Sequence, residues 1–231
     1  ANGIKLSQNY KQKMMKDEIN LPLAIEDYLP VAFFAIGLFF IAKLISNRNQ
    51  LAGNLAYLGG VLVTLGGFFK ASWKLIQALG GSDIPFLNNS LFVLLSSGFI
   101  CVAWAFWKSR SSQTSWVNLL TVPIVLILIV WSIAAYIGFF TESRAWFFLL
   151  LGATTLANLA LLFQLISLSY KNKLWLVIGL YLVNLIVIFV LARSADQTVT
   201  MQWIKQIITT VSQLSFAIAS WKLLQNQVSL D

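Results

Sequence analysis

Histidine is missing from all 231 residues, and with it the commonest metal ligand, the usual haem ligand and the usual general base. Intramembrane proteases that use a histidine base, histidine-ligated desaturases and zinc proteases are excluded on that count. Cysteine occurs once, as Cys101, so no disulfide forms within the chain and cysteine usage says nothing of redox compartment. Charge is scarce as well. Charged residues make up 10% of the chain, against about 25% in soluble domains. Aspartate and glutamate together number 8. None is expected well inside an apolar run, which leaves a carboxylate proton relay without members and disfavours ion-coupled pumping. No catalytic, cofactor or metal motif stands out, so neither enzymatic activity nor a bound cofactor is expected.

What the chain has instead is apolar length. Apolar residues make up 58% of it and the mean hydropathy is +0.78. The run Trp116–Phe140 carries no charge at all, and a helix of that length, at about 1.5 Å per residue, crosses a ~30 Å hydrocarbon layer. Three comparable runs precede it, at about Pro30–Ile45 (from Leu23 if Pro30 is a kink or a first-turn residue), Ala52–Ile76 and Phe86–Trp107. Three follow, at about Ala145–Ser169, Leu174–Ala192 and Val199–Leu224. The expected fold is an all-α integral membrane protein, a seven-transmembrane-helix bundle. Residues 1–22 form a polar tail or surface helix, 23–224 the bundle and 225–231 a short tail. In the first segment Leu6, Tyr10 and Met14 are spaced as on one helix face. It contains no apolar stretch before a cleavage site, so no secretory signal is expected there.

The formal net charge of +8 would suggest nucleic acid in a soluble protein. Here the basic residues sit singly or in pairs at span ends, as in positive-inside loops, and no nucleic-acid partner is expected. Lys43, Arg48, Lys108, Arg110, Lys171, Lys173 and Lys222 fall on one side, whereas Asp83, Glu142 and Asp196 fall on the other with the N-terminal acids. The rule then places the N-terminus outside and the C-terminus in the cytoplasm or its topological equivalent. The four lysines before the first span argue against it, although four acids match them.

Ala71–Gln77 (ASWKLIQ) closely matches Ala219–Gln225 (ASWKLLQ), and a shorter Ala-x-Trp-Lys closes the third span at Ala105–Lys108. The tags that end the third and seventh spans allow a 3+1+3 pseudo-repeat with Trp116–Phe140 as an inverting linker, whereas the longest match joins the second and seventh spans, which run in opposite directions, and does not support it. The preference of Trp and Lys for the membrane interface explains them equally well. The layout resembles that of SWEET sugar transporters, without their Pro-Gln loop motif or binding-site pattern, and implies no family membership.

Few residues carry polar chemistry at depth. Asn158, Asn184 and Gln213 fall near the centres of the last three spans, with Ser96, Ser97 and Thr64 level with them. An amide facing lipid leaves donors and acceptors unpaired at about 2–7 kcal/mol, so these side chains are expected to turn inward and converge. They would form either a pocket for a neutral ligand or interhelical glue. Lys70 and Lys205 sit toward the outer leaflet, where they either form a basic vestibule or snorkel to the interface. Lys205 has Met201 four residues before it rather than an acid, which disfavours a retinal-binding span. Ser72 and Lys74, two apart on a helix, point to different faces and make no nucleophile–base pair.

Three roles fit. An accessory or scaffold subunit of a larger membrane complex ranks first, an uncoupled transporter or channel for a small neutral or amphiphilic solute second, and a membrane sensor or receptor domain third. Membrane lipid and other membrane-protein subunits are the expected partners. Pigment or quinone contact with the aromatic residues has no motif behind it.

Overall fold

The structure, a computed structural model, describes residues 21–110, 115–141, 143–193 and 198–226. The N-terminal tail with Leu6, Tyr10 and Met14, together with Glu142 and Asp196, lies outside these residues. The described elements are α1 (Leu21–Glu26), α2 (Tyr28–Arg48), α3 (Gln50–Ala78), α4 (Pro85–Lys108), α5 (Trp116–Phe140), α6 (Ala145–Lys171), α7 (Trp175–Arg193) and α8 (Val199–Gln225). No strand occurs among the described residues. Six helices, counting α1 and α2 as one run, are long and apolar enough to cross a membrane, and Trp175–Leu191 of α7 is a shorter apolar helix. The chain is a helical bundle with the character of a multi-pass membrane protein.

The helix ends follow local chemistry. Asn49 alone separates α2 from α3, and its side chain accepts the Ala52 N–H at 3.0 Å, capping the second helix as the first stops. Gly80 takes a positive φ of 81° at the end of α3, within the Gly-Gly-Ser-Asp-Ile-Pro turn, and Pro85 opens α4. Ser115 and Thr198 cap α5 and α8 through the Asn118 and Met201 N–H groups.

Helices α2, α3, α4, α6, α7 and α8 form a ring in chain order, and α8 closes it against α2. Within the ring α2 and α3 run antiparallel, with Val31 beside Gly67 and Leu38 beside Gly60. Both seams between the two triplets are parallel. Phe92 meets Phe147 and Ala103 meets Gln164 between α4 and α6, while Phe34 meets Phe216 between α2 and α8. One end of the ring therefore gathers the start of α2 with the end of α3. The other gathers Lys43, Arg48, Lys108, Arg110, Lys171 and Lys173, opposite Asp83.

Helix α5 stands outside this ring. It is central in sequence and peripheral in space, with 11% of its apolar window buried. It leans on α4 and α6, anchored where Trp104 Nε1 donates to the Leu119 carbonyl at 2.9 Å. The reason lies in its composition. A helix apolar all round has no polar stripe to hide and is at home among acyl chains.

The two glycine pairs of α3 divide their work. Gly59 and Gly66 face α4, whereas Gly60 and Gly67 face α2, because neighbouring residues on a helix differ by about 100° in direction. The closest approach is reciprocal. A methyl on Gly59 would lie 2.6 Å from the Gly98 carbonyl oxygen, and one on Gly98 would lie 2.6 Å from that of Gly59.

The first span takes the longer of its two expected forms. It begins at Leu21, two residues before Leu23, and the break falls at Asp27, so Pro30 sits in the first turn of α2. That puts Glu26 and Asp27 inside a membrane-length run, near its start. Lys74 and Thr210 make this tolerable by partnering the two acids, a tertiary arrangement that hydropathy does not register.

Candidate functional site

What fills the ring depends on the side chains that face inward. Toward the Arg48 end they are large. Ile41, Ile45, Phe106, Leu161, Leu165, Tyr181 and Leu223 are fully buried there and belong to one packed cluster. Toward the Asp27 end they are short or polar, and a partly open cavity of about 380 Å³ remains. A water occupies about 30 Å³ of the liquid, so this space holds several waters or a small molecule, within the usual range of ligand sites.

The walls alternate around the ring. Helix α3 contributes Thr64, Gly67, Lys70 and Lys74, α6 contributes Thr154, Thr155 and Asn158, and α8 contributes Gln206, Thr209 and Gln213. Between them stand apolar staves: Pro30, Val31 and Phe34 of α2, Leu91, Leu95 and Phe99 of α4, and Ile188 of α7. A molecule inside meets polar and apolar surfaces in alternation, which suits an amphiphile.

The polar wall has a bias. Thr64, Thr154, Thr155 and Thr209 each donate their hydroxyl proton to the backbone carbonyl four residues back, at 2.8 Å. Their oxygens keep lone pairs and have no proton to give. The Asn158 Oδ1 is buried and has no protein donor among the described residues. Mid-depth is therefore rich in acceptors.

Aromatic rings close the floor. Phe34 lies 5.7 Å from Phe99 and 4.8 Å from Phe216 between ring centroids, and Phe216 lies 5.8 Å from Tyr181. Below them Tyr181 Oη and Ser220 Oγ share a hydrogen bond of 3.2 Å. At the mouth Lys74 Nζ pairs with Asp27 Oδ2 at 2.5 Å, where the aspartate side chain is 10% exposed. Lys70 donates to Asn88 Oδ1 and sits 4.2 Å from the centroid of the Trp73 ring, whose Nε1 donates to Asp83 at 2.8 Å. Glu26 accepts a hydrogen bond from Thr210 behind α8's inner face.

No family model matches the chain. Nor does any curated protein or solved structure match it. The functional reading therefore rests on this geometry alone.

The expected midplane residues divide into three groups. Thr64, Asn158 and Gln213 reach the cavity. Asn184 stays behind the wall, where its Nδ2 donates to Ser212 Oγ at 2.9 Å and meets Gln213 Oε1 at 3.5 Å. Asn184 and Gln213 thus converge as expected, and Asn158 shares the hollow with Gln213 rather than bonding to the other two. Ser96 and Ser97 do not join them. Both are buried on α4 and donate to the Val93 carbonyl, because a serine hydroxyl within a helix satisfies itself locally. Lys70 lines the cavity, whereas Lys205, further toward the start of α8, is not among the lining residues.

Asp27, Lys74, Thr154, Thr155, Gln206 and Thr209 were not anticipated as site residues. A signal for some of them was present. Gln202, Gln206, Thr209 and Gln213 repeat at helical spacing along one face of α8, as Thr154 and Asn158 do on α6. Judging residues one at a time by depth hides such stripes.

Proposed function

We propose that this protein binds a small amphiphilic solute within the bundle and facilitates its passage across the membrane. The observation that carries this reading is the hollow end of the ring, lined by polar staves and floored by Phe34 and Phe99, with Phe216 packed against Phe34. A purely scaffolding subunit needs side chains that meet partners, and it gains nothing from an unfilled interior.

On this reading all seven apolar helices cross the membrane. The mouth at Asp27 and Lys74 faces the outside and the basic end faces the cytoplasm, as the distribution of Lys and Arg favours. The two triplets joined by parallel seams, with α5 set aside, support a 3+1+3 organisation in which one triplet rocks against the other. The arrangement in hand is then the outward-open one, with the aromatic floor as the closed gate.

Reconstituted protein tests the proposal. Proteoliposomes should take up small amphiphiles faster than protein-free vesicles, and Thr155→Trp, which fills the cavity from its wall, should abolish the difference while leaving the helical content unchanged. Native mass spectrometry that finds stoichiometric partner subunits and no effect of Thr155→Trp would return the weight to the accessory-subunit role.

A further inference from the structure

The charges of the cavity do not balance, and the imbalance falls on one atom. Three charged side chains line it: Lys70, Lys74 and Asp27. The ion pair between Lys74 and Asp27 takes one of each sign, which leaves Lys70. Among the described residues no carboxylate lies within ion-pair distance of its Nζ. Its partners are the neutral Asn88 Oδ1 and the face of the Trp73 ring. Of the other acids at this end, neither Glu26 nor Asp83 is among the lining residues, and Asp83, held by the Trp73 indole, attracts the Lys70 ammonium only from beyond ion-pair distance.

We propose that Lys70 receives the anionic head of the solute, so that the ligand class is a small monoanionic amphiphile of the carboxylate type. This rests on the cavity being a solute site. Three features argue for it. An ammonium has three N–H donors; Asn88 takes one and the Trp73 ring faces another, which leaves a donor for a bound anion. The neutral partners hold the Nζ in place without cancelling its charge, in a wall where a low dielectric strengthens attraction to an anion. Lys70 also lines the cavity, and its backbone lies a full turn deeper along α3 than that of Lys74.

The remaining cavity sets the shape of the rest of the molecule. From Lys70 to Val63 is seven residues along α3, about 10 Å of helix. Below the ammonium the apolar staves Val31, Leu95 and Phe99 lead to Phe34. A head at Lys70 therefore carries a short hydrocarbon body directed toward the aromatic floor. Lys70 is the lining cation with no direct ion-pair partner among the described residues, and one negative charge on the solute matches it. A cationic amphiphile would meet the Lys70 ammonium with nothing to offset it.

The test uses the full chain in phosphatidylcholine nanodiscs, with binding read from saturation-transfer NMR of hexanoate, 1-hexanol and hexylammonium. Hexanoate should bind about tenfold more tightly than hexanol, the difference expected of a hydrogen bond to a charged group, and hexylammonium should bind most weakly. Lys70→Gln should bring hexanoate down to hexanol's affinity and leave hexanol unchanged, whereas Lys70→Arg should keep the preference. Equal affinities for hexanoate and hexanol in the native protein would overturn the proposal and leave the cavity reading intact. The native ranking decides this even if Lys70→Gln fails to fold. Binding of none of the probes would sink the cavity reading itself. Adding phosphatidate to the nanodiscs identifies the source of the anion. Displacement of hexanoate by phosphatidate supports a lipid headgroup on Lys70, and undisturbed hexanoate binding supports a free solute.

Discussion

Replacing Gly98 by alanine should weaken the bundle where the backbones of α3 and α4 meet. The added methyl would lie 2.6 Å from the Gly59 carbonyl oxygen and 2.6 Å from Val63 Cγ2, whereas ordinary contact begins at 3.4 Å. Relieving that overlap moves one helix by about 0.8 Å. A gap of 0.5–1 Å forfeits roughly a quarter to a half of each dispersion contact along the seam, and overpacking of this kind costs about 1–3 kcal/mol. Alanine also favours the helix over glycine by at most about 1 kcal/mol, which offsets part of the loss. Gly152 and Gly179 supply the control, since a methyl at either meets nothing within 4 Å. The readout is unfolding by sodium dodecyl sulfate in mixed micelles, followed by tryptophan fluorescence. Gly98→Ala should fall below Gly152→Ala and Gly179→Ala by about 2 kcal/mol. Adding Gly59→Ala should cost less than it does alone, because one retreat of the helices relieves both clashes. Indistinguishable behaviour of Gly98→Ala and Gly152→Ala would refute the close-contact argument, and strict additivity would refute the shared retreat.

The Asp27–Lys74 pair should show coupling. Asp27→Asn and Lys74→Gln alone should each destabilise by about 1–3 kcal/mol, less than a fully buried pair because Lys74 is 31% exposed, and the double variant should cost less than their sum; a coupling near zero would make the contact incidental. Asn184→Leu, which removes the bonds to Ser212 and Gln213, should cost about 0.6–2 kcal/mol in the same assay. A neutral or stabilising result would assign that amide no structural role. Orientation is checked by single cysteines in a Cys101→Ser background. Ser82→Cys should react with an impermeant maleimide in intact cells and Asn47→Cys only after lysis, and the reverse pattern would invert the topology.

Element type was legible in the sequence because hydrophobic length is a local property: six of the expected spans are helices of membrane length, and the sixth in order is the shorter apolar helix Trp175–Leu191. Trp116–Phe140 was delimited to the residue, since uncharged runs end where Ser115 and Thr141 can cap or stop a helix. The expected starts and ends of the other spans moved by a few residues. Leu21–Glu26 carries enough charge nearby to look like a flank, and it becomes part of a membrane-length run only because Lys74 and Thr210, far away in the chain, meet its acids.

From sequence alone follow the all-helical character, the apolar spans, the inward turn of Asn158, Asn184 and Gln213, and the gathering of Lys43, Arg48, Lys108, Arg110, Lys171 and Lys173 at one end. Each is set by the energy of a single residue or segment in hydrocarbon, which its neighbours in the chain suffice to determine. Tertiary structure alone decided that α5 stands outside the ring, that Gly98 is the counterpart of Gly59, and that a cavity lies at the Asp27 end while large side chains are buried toward the Arg48 end. It also decided that Lys74 has a carboxylate and Lys70 does not. These depend on which faces meet and how much volume they leave between them, and every such term joins residues tens of positions apart.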